Sequence, residues 1–172
     1  NFEGLGPMDN TCTNPDTEGD VGLDHYMQMV KRSFAIWDKQ GNLLYGPANN
    51  KTLWSTLPGP WLDHWFTDPI VVYDHLTDRW LASNMVYEIQ TDYLFWEVIA
   101  VSATPDPLGE WYCWAYEFEY MPDYPKFAVW NDEFVMTINN FDVTASVAPF
   151  MGASIWSFNK QDLIDGVSEP DV

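Results

Sequence analysis

The chain has 172 residues, 47% of them apolar and 17% aromatic, which is enough to fill one domain's core and excludes a disordered segment. Its net charge of −19, from 26 acidic residues against seven scattered basic ones, makes nucleic acid and anionic lipid poor partners. No apolar run approaches the roughly 18 residues that a membrane-crossing helix needs, so no membrane insertion is expected.

The chain starts at Asn1 without a methionine and reads as a mature or cut-out piece of an exported protein. Residues 1–19 lack periodicity, are rich in Gly, Pro and Asn, and read as an extended lead-in. At its end, Asp16, Glu18, Asp20 and Asp24 occupy positions one, three, five and nine of a glycine-containing loop. That spacing arranges carboxylate oxygens as ligands for a hard cation, calcium first. Val21 stands where a calcium loop would carry glycine, and no bidentate Glu follows at position twelve; the alternative is an acidic turn leading into a strand.

Residues 20–57 hold a first, less regular unit. His25–Val30 and Ser33–Asp38 are strand-like runs joined by Lys31-Arg32 in a tight hairpin, and Leu43-Leu44-Tyr45 continues the meander. Gly46 to Asn50 is expected to break it before Thr52-Leu53-Trp54. Residues 58–67 form an aromatic loop, and exposed Trp54, Trp61 and Trp65 could grip a sugar ring by stacking, although packing is the commoner fate of a tryptophan.

Residues 68–119 give the clearest signal: four runs, Asp68–Asp74, Arg79–Ser83, Glu97–Ser102 and Trp111–Tyr116, rich in Val, Ile, Tyr and Trp and separated by turn residues. They predict a four-stranded antiparallel meander. Residues 120–165 repeat the pattern with Lys126–Trp130, Glu133–Ile138 and Ala153–Phe158, then a helical turn at Asn159–Ile164, and residues 166–172 are a polar tail. No run is left to supply a fourth strand for this third unit.

Unit starts at Asp20, Asp68 and Asp123 lie 48 and 55 residues apart, close to the roughly 40–50 of propeller repeats. The expected fold is therefore all-β, a β-propeller portion of about three antiparallel blades. Propellers carry about four to eight blades, so a larger ring, completed by the rest of a longer chain or by other protein chains, is expected. Each terminal blade should leave an apolar face uncovered, and the contact is expected at Ile155, Trp156 and Phe158.

The runs Asp68-Pro69-Ile70-Val71-Val72-Tyr73-Asp74 with Arg79-Trp80-Leu81, and Asp123-Tyr124-Pro125-Lys126-Phe127, resemble a family of secreted bacterial and marine β-propeller proteins, mostly without assigned activity. The resemblance covers nearly the whole chain and implies an extracellular, secreted or cell-surface, binding or structural module.

No Gly-x-Ser-x-Gly, His-Glu-x-x-His or phosphate loop is present, and His25, His64 and His75 each follow an aspartate without a helical or metal-binding spacing. The enzymatic alternative is glycoside hydrolysis by Asp20, Asp68 and Asp123 at the inner ends of successive blades, acting on a polysaccharide. The competing reading is that each aspartate caps a turn. Cys12 and Cys113 match no zinc or redox spacing and are either bridged in an exported chain or two thiols.

Overall fold

The computed structural model describes residues 1–9, 12 and 14–172. The chain is all-β, with three antiparallel sheets that follow one another along the sequence. The first is β1 (Glu18–Val21), β2 (His25–Val30), β3 (Ser33–Asp38) and β4 (Leu43–Asn49). The second is β5 (Trp65–Asp74), β6 (Arg79–Glu88), β7 (Leu94–Ser102) and β8 (Trp111–Phe118). The third is β9 (Met121–Val129), β10 (Glu133–Phe141) and β11 (Phe150–Asn159), closed by the short helix α1 (Lys160–Asp165). Strand order equals chain order or its reverse in every sheet, so each is a simple meander.

Alternation of side chains along a strand decides how the sheets stack. Met27, Met29, Phe34 and Ile36 of the first sheet face Trp80, Ala82, Val98 and Ala100 of the second, with Trp54 and Phe66 filling the layer. The intervening residues Leu81, Ile99 and Val101 point the other way, onto Phe134, Met136, Ile138 and Phe158 of the third sheet. The second sheet is thus buried on both faces, which is why β6 and β7 are buried almost without alternation and β7 reads as a nearly continuous apolar run. The first strands of the three sheets lie side by side, β5 between β1 and β9.

Several expectations are corrected by the backbone. Gly46 and Pro47 do not break the first meander: β4 runs on to Asn49, because it is an edge strand and a proline there costs no ladder hydrogen bond. Leu53 and Trp54 belong to a 3-10 helix, Asn50–Trp54, whose first turn is capped by Asn49 accepting from the Lys51 amide. The aromatic loop is shorter than its sequence implies, because β5 already starts at Trp65. The helical turn after β11 forms as expected, with Asn159 as N-cap and Gly166 closing it in the left-handed conformation.

The expected pair of uncovered terminal faces is also revised. On the outer face of the first sheet, Phe2 packs against Tyr26 and Trp37, at 5.8 and 5.7 Å between ring centres. The Leu5 amide donates to Gln28 Oε1 at 2.8 Å, and the Ser33 hydroxyl donates to the Asp9 carbonyl. The lead-in therefore covers that face. On the third sheet, Phe158 and Trp156 point inward, against Tyr116 and Phe118, and only Ile155 of the three expected contact residues is open, at 75% exposure.

Candidate functional site

Three of the six left-handed non-glycine residues among the described residues lie in or next to the adjacent first strands β1, β5 and β9. In β5 the pairing with β6 shifts between Thr67 and Ile70, leaving Asp68 and Pro69 in a bulge, and Asp68 sits at φ 47°. In β9 the pairing with β10 shifts in the same way around Tyr124 and Pro125, and Tyr124 sits at φ 57°. Asp16, just ahead of β1, is the third, at φ 46°. A bulge bends its strand and re-aims the side chain at that point. All three residues line one cleft of ≈ 230 Å³, together with Glu18, Ile70 and Lys126.

Within it, Asp68 accepts from the Thr67 hydroxyl at 3.0 Å and from the Tyr124 amide at 3.4 Å. Lys126 pairs with Glu18 at 3.1 Å and lies 4.3 Å from the centre of the exposed Tyr124 ring. Asp16 pairs with Lys31 at 2.8 Å. Behind the cleft, burial and the charge of Asp68 both raise the Asp123 carboxyl above its usual range.

Glu97, on β7, is completely buried, and no well-formed hydrogen bond reaches either carboxyl oxygen among the described residues, the Ser83 hydroxyl being only a weak neighbour. Burial pushes it up to about 8; the Ser83 hydroxyl opposes the rise and the charge of Asp68 adds to it. The register sets Glu97 directly opposite Tyr116, whose buried hydroxyl also lacks a partner among the described residues. No motif marks Glu97 in the sequence, but one signal does: it is the one charged residue in β7, Leu94–Ser102.

Of the three aspartates proposed as a catalytic set, Asp68 and Asp123 come together and Asp20 does not. Asp20 Oδ2 accepts from the Tyr73 amide at 2.8 Å, five residues along β5 from Asp68, a separation of roughly 15 Å at the rise of a strand. Its other oxygen accepts from the Val21 amide at 2.7 Å, so Asp20 clamps β1 onto the second sheet.

The four expected calcium ligands are likewise divided. Asp16 and Glu18 face lysines, Asp20 faces a backbone amide, and Asp24 lies in the turn after β1, because residues 18–21 form a strand rather than a loop. Among the described residues, no three His, Cys, Asp or Glu side chains are gathered as they would be around a metal ion.

The tryptophans differ in their freedom. Trp54 is fully buried against Phe66 and offers no face to a ligand. Trp61 is half-buried, donates to the Leu57 carbonyl at 3.2 Å, and packs edge-on against Trp96. Trp65 is open to solvent on β5, with the Arg32 guanidinium 4.2 Å over its ring. Cys113 is a thiol that donates to the Leu53 carbonyl at 3.3 Å, and burial pushes it up to about 11.

Comparison with known proteins gives no match to a family model, to a curated protein or to a solved structure.

Proposed function

We propose that this chain is a three-blade section of an extracellular β-propeller, related to the secreted family it resembles, that works as a binding or structural module and takes a polyhydroxylated ligand such as a polysaccharide at its inner-strand cleft. The blade reading draws support from three successive meanders stacked face to face with β1, β5 and β9 adjacent. The remainder of a larger protein, or partner chains, completes the ring, the last sheet packing over residues 2–9.

One observation carries the binding reading: three left-handed residues, Asp68 on β5, Tyr124 on β9 and Asp16 just ahead of β1, meet at the same cleft. Sugar hydroxyls are recognised by carboxylates and ammonium groups beside an aromatic face, and Asp68, Glu18, Lys126 and Tyr124 supply those groups. Affinity electrophoresis through gels holding a panel of neutral and charged polysaccharides tests it. Retardation by at least one polysaccharide, lost in Asp68→Asn and Tyr124→Ala, is expected; no retardation by any would end the reading.

The second reading is glycoside hydrolysis. It is favoured by the adjacency of Asp68 and Asp123, with Glu97 held protonated near neutrality, since such enzymes need one carboxylic acid and one carboxylate. Full burial keeps Glu97 from a substrate, so Asp68 and Asp123 would carry the chemistry. Reducing-sugar release abolished by Asp68→Asn would replace the binding module with an enzyme.

A further inference from the structure

We infer that β11 is an interior strand whose outer edge takes a fourth, antiparallel strand, entering in line with Val172. This rests on the reading of the three sheets as successive blades.

The first two sheets have four strands and the third has three, so β11 stands where β3 and β7 stand, each paired on both sides. Its composition fits that place. Phe150-Met151-Gly152-Ala153-Ser154-Ile155-Trp156-Ser157-Phe158-Asn159 contains no charged residue and no proline, in a chain of net charge −19. Edge strands that must stay unpaired are usually blunted by charge, proline or bulges. The last strands of the first two sheets are blunted: β4 carries Pro47 and two register shifts, and β8 carries exposed Glu117, whereas β11 has a single register shift at Met151, near its start, and runs regularly from Gly152 to Asn159.

The backbone already holds the first rung. The Lys160 amide donates to the Asp132 carbonyl, on the β10 side, while the Asn159 amide turns the other way and donates to the Asp171 carbonyl at 2.9 Å. Backbone groups of alternate residues face alternate sides of a strand, so the amides and carbonyls of Ser157, Ile155 and Ala153 also face outward. A strand that extends this rung along the outer edge, antiparallel to β11, would meet these groups in turn. On the outer face, Ala153, Ile155 and Ser157 lie beside Val135 and Thr137, all small or apolar, and the charged residues of that face, Glu133 and Lys126, stand at its two ends.

The occupant is therefore an extended strand with alternating apolar side chains. The test appends to Val172 the eight residues of β8, Trp111–Phe118, with serine in place of Cys113, and compares it with the same extension carrying prolines at alternate positions. Amide hydrogen exchange is read at Ala153, Ile155 and Ser157 across a dilution series. Protection of these amides by about tenfold or more with the alternating extension alone, independent of concentration, is expected. Equal exchange in both extended chains overturns the inference. So does concentration-dependent protection in the unextended chain, because a second copy would then be the occupant. The blade reading has a separate check: small-angle scattering of the native protein that shows a ring, with these amides still exchanging freely, keeps the ring and removes the fourth strand.

Discussion

Lys160 Nζ lies 2.9 Å from Asp74 Oδ2, with both side chains out of solvent at 2% and 0% exposure. The ammonium also donates to the Trp130 carbonyl and sits 5.1 Å from the centre of the Phe134 ring. Asp74 accepts in addition from the Leu76 amide and the Thr77 hydroxyl. Burial alone would raise its carboxyl; the Thr77 and Lys160 hydrogen bonds outweigh it and hold the group below its usual range. The pair joins the last residue of β5 to the start of α1, and so fastens the second sheet to the third.

Removing one partner leaves a buried charge uncompensated. Lys160→Met is expected to lower unfolding free energy by about 3–5 kcal/mol in a urea titration, and the double variant Lys160→Met, Asp74→Asn to recover most of that loss. Equal stability of the single and double variants would show that the pair is not coupled.

Glu97 gives the molecule a pH dependence with a definite sign. Its folded-state value, about 8, exceeds the ordinary glutamate value of 4.5. Between those values the folded state keeps a proton that the unfolded state has released, so stability falls as pH rises through that window and levels off above it. The loss from this group is on the order of a few kcal/mol. Thermal melts from pH 5 to 8.5 should show Tm falling in the parent and changing much less in Glu97→Gln, which is the more stable protein at pH 8.5.

Asp20 is expected to act as a clamp. Asp20→Ala should destabilise by about 1–2 kcal/mol, because the Tyr73 amide loses a charged acceptor. EDTA followed by calcium should leave the Tm of the parent unchanged, since Lys31 and Lys126 already neutralise Asp16 and Glu18. A calcium-dependent rise in Tm, lost in Asp20→Ala, would establish the loop as a metal site.

The Cys113 thiol should be nearly inert. With burial pushing it up to about 11, its thiolate fraction at pH 8 is about a hundredfold below that of an ordinary cysteine. Alkylation at pH 8, mapped by peptide mass, should label Cys113 only after denaturation.

How much of this was legible in the sequence varies with the physical signal. β2 and β3 occur at the predicted residues, His25–Val30 and Ser33–Asp38, because alternation and a two-residue turn fix both ends of a hairpin. Thr52-Leu53-Trp54 is too short an apolar run to show period two or three, and its 3-10 form depends on the Asn49 cap. Asp68 was legible as a special position because Asp-Pro marks a local break. Its partner Asp123 is local in the same sense, but their meeting is set by the stacking of β5 and β9, which no short-range pattern encodes. Phe2 was lost in an aperiodic segment, and only the tertiary contact with Tyr26 and Trp37 gives it a role.

The two-sided burial of the second sheet has a consequence for its alignment. In a sheet with one wet face, a slip of one residue exposes every apolar side chain, and that penalty fixes the pairing. In β6 a slip would only exchange Trp80 and Ala82 with Leu81 and Ser83 between two dry layers, so hydrophobicity discriminates weakly. Polar side chains bonded to backbone supply the missing discrimination. Ser102 Oγ accepts from the Trp80 amide at 2.9 Å near one end of β6, and Asn84 Nδ2 donates to the Thr67 carbonyl at 2.9 Å further along it. These two buried bonds act as alignment pins, and a slipped pairing would leave both polar side chains stranded between the cores.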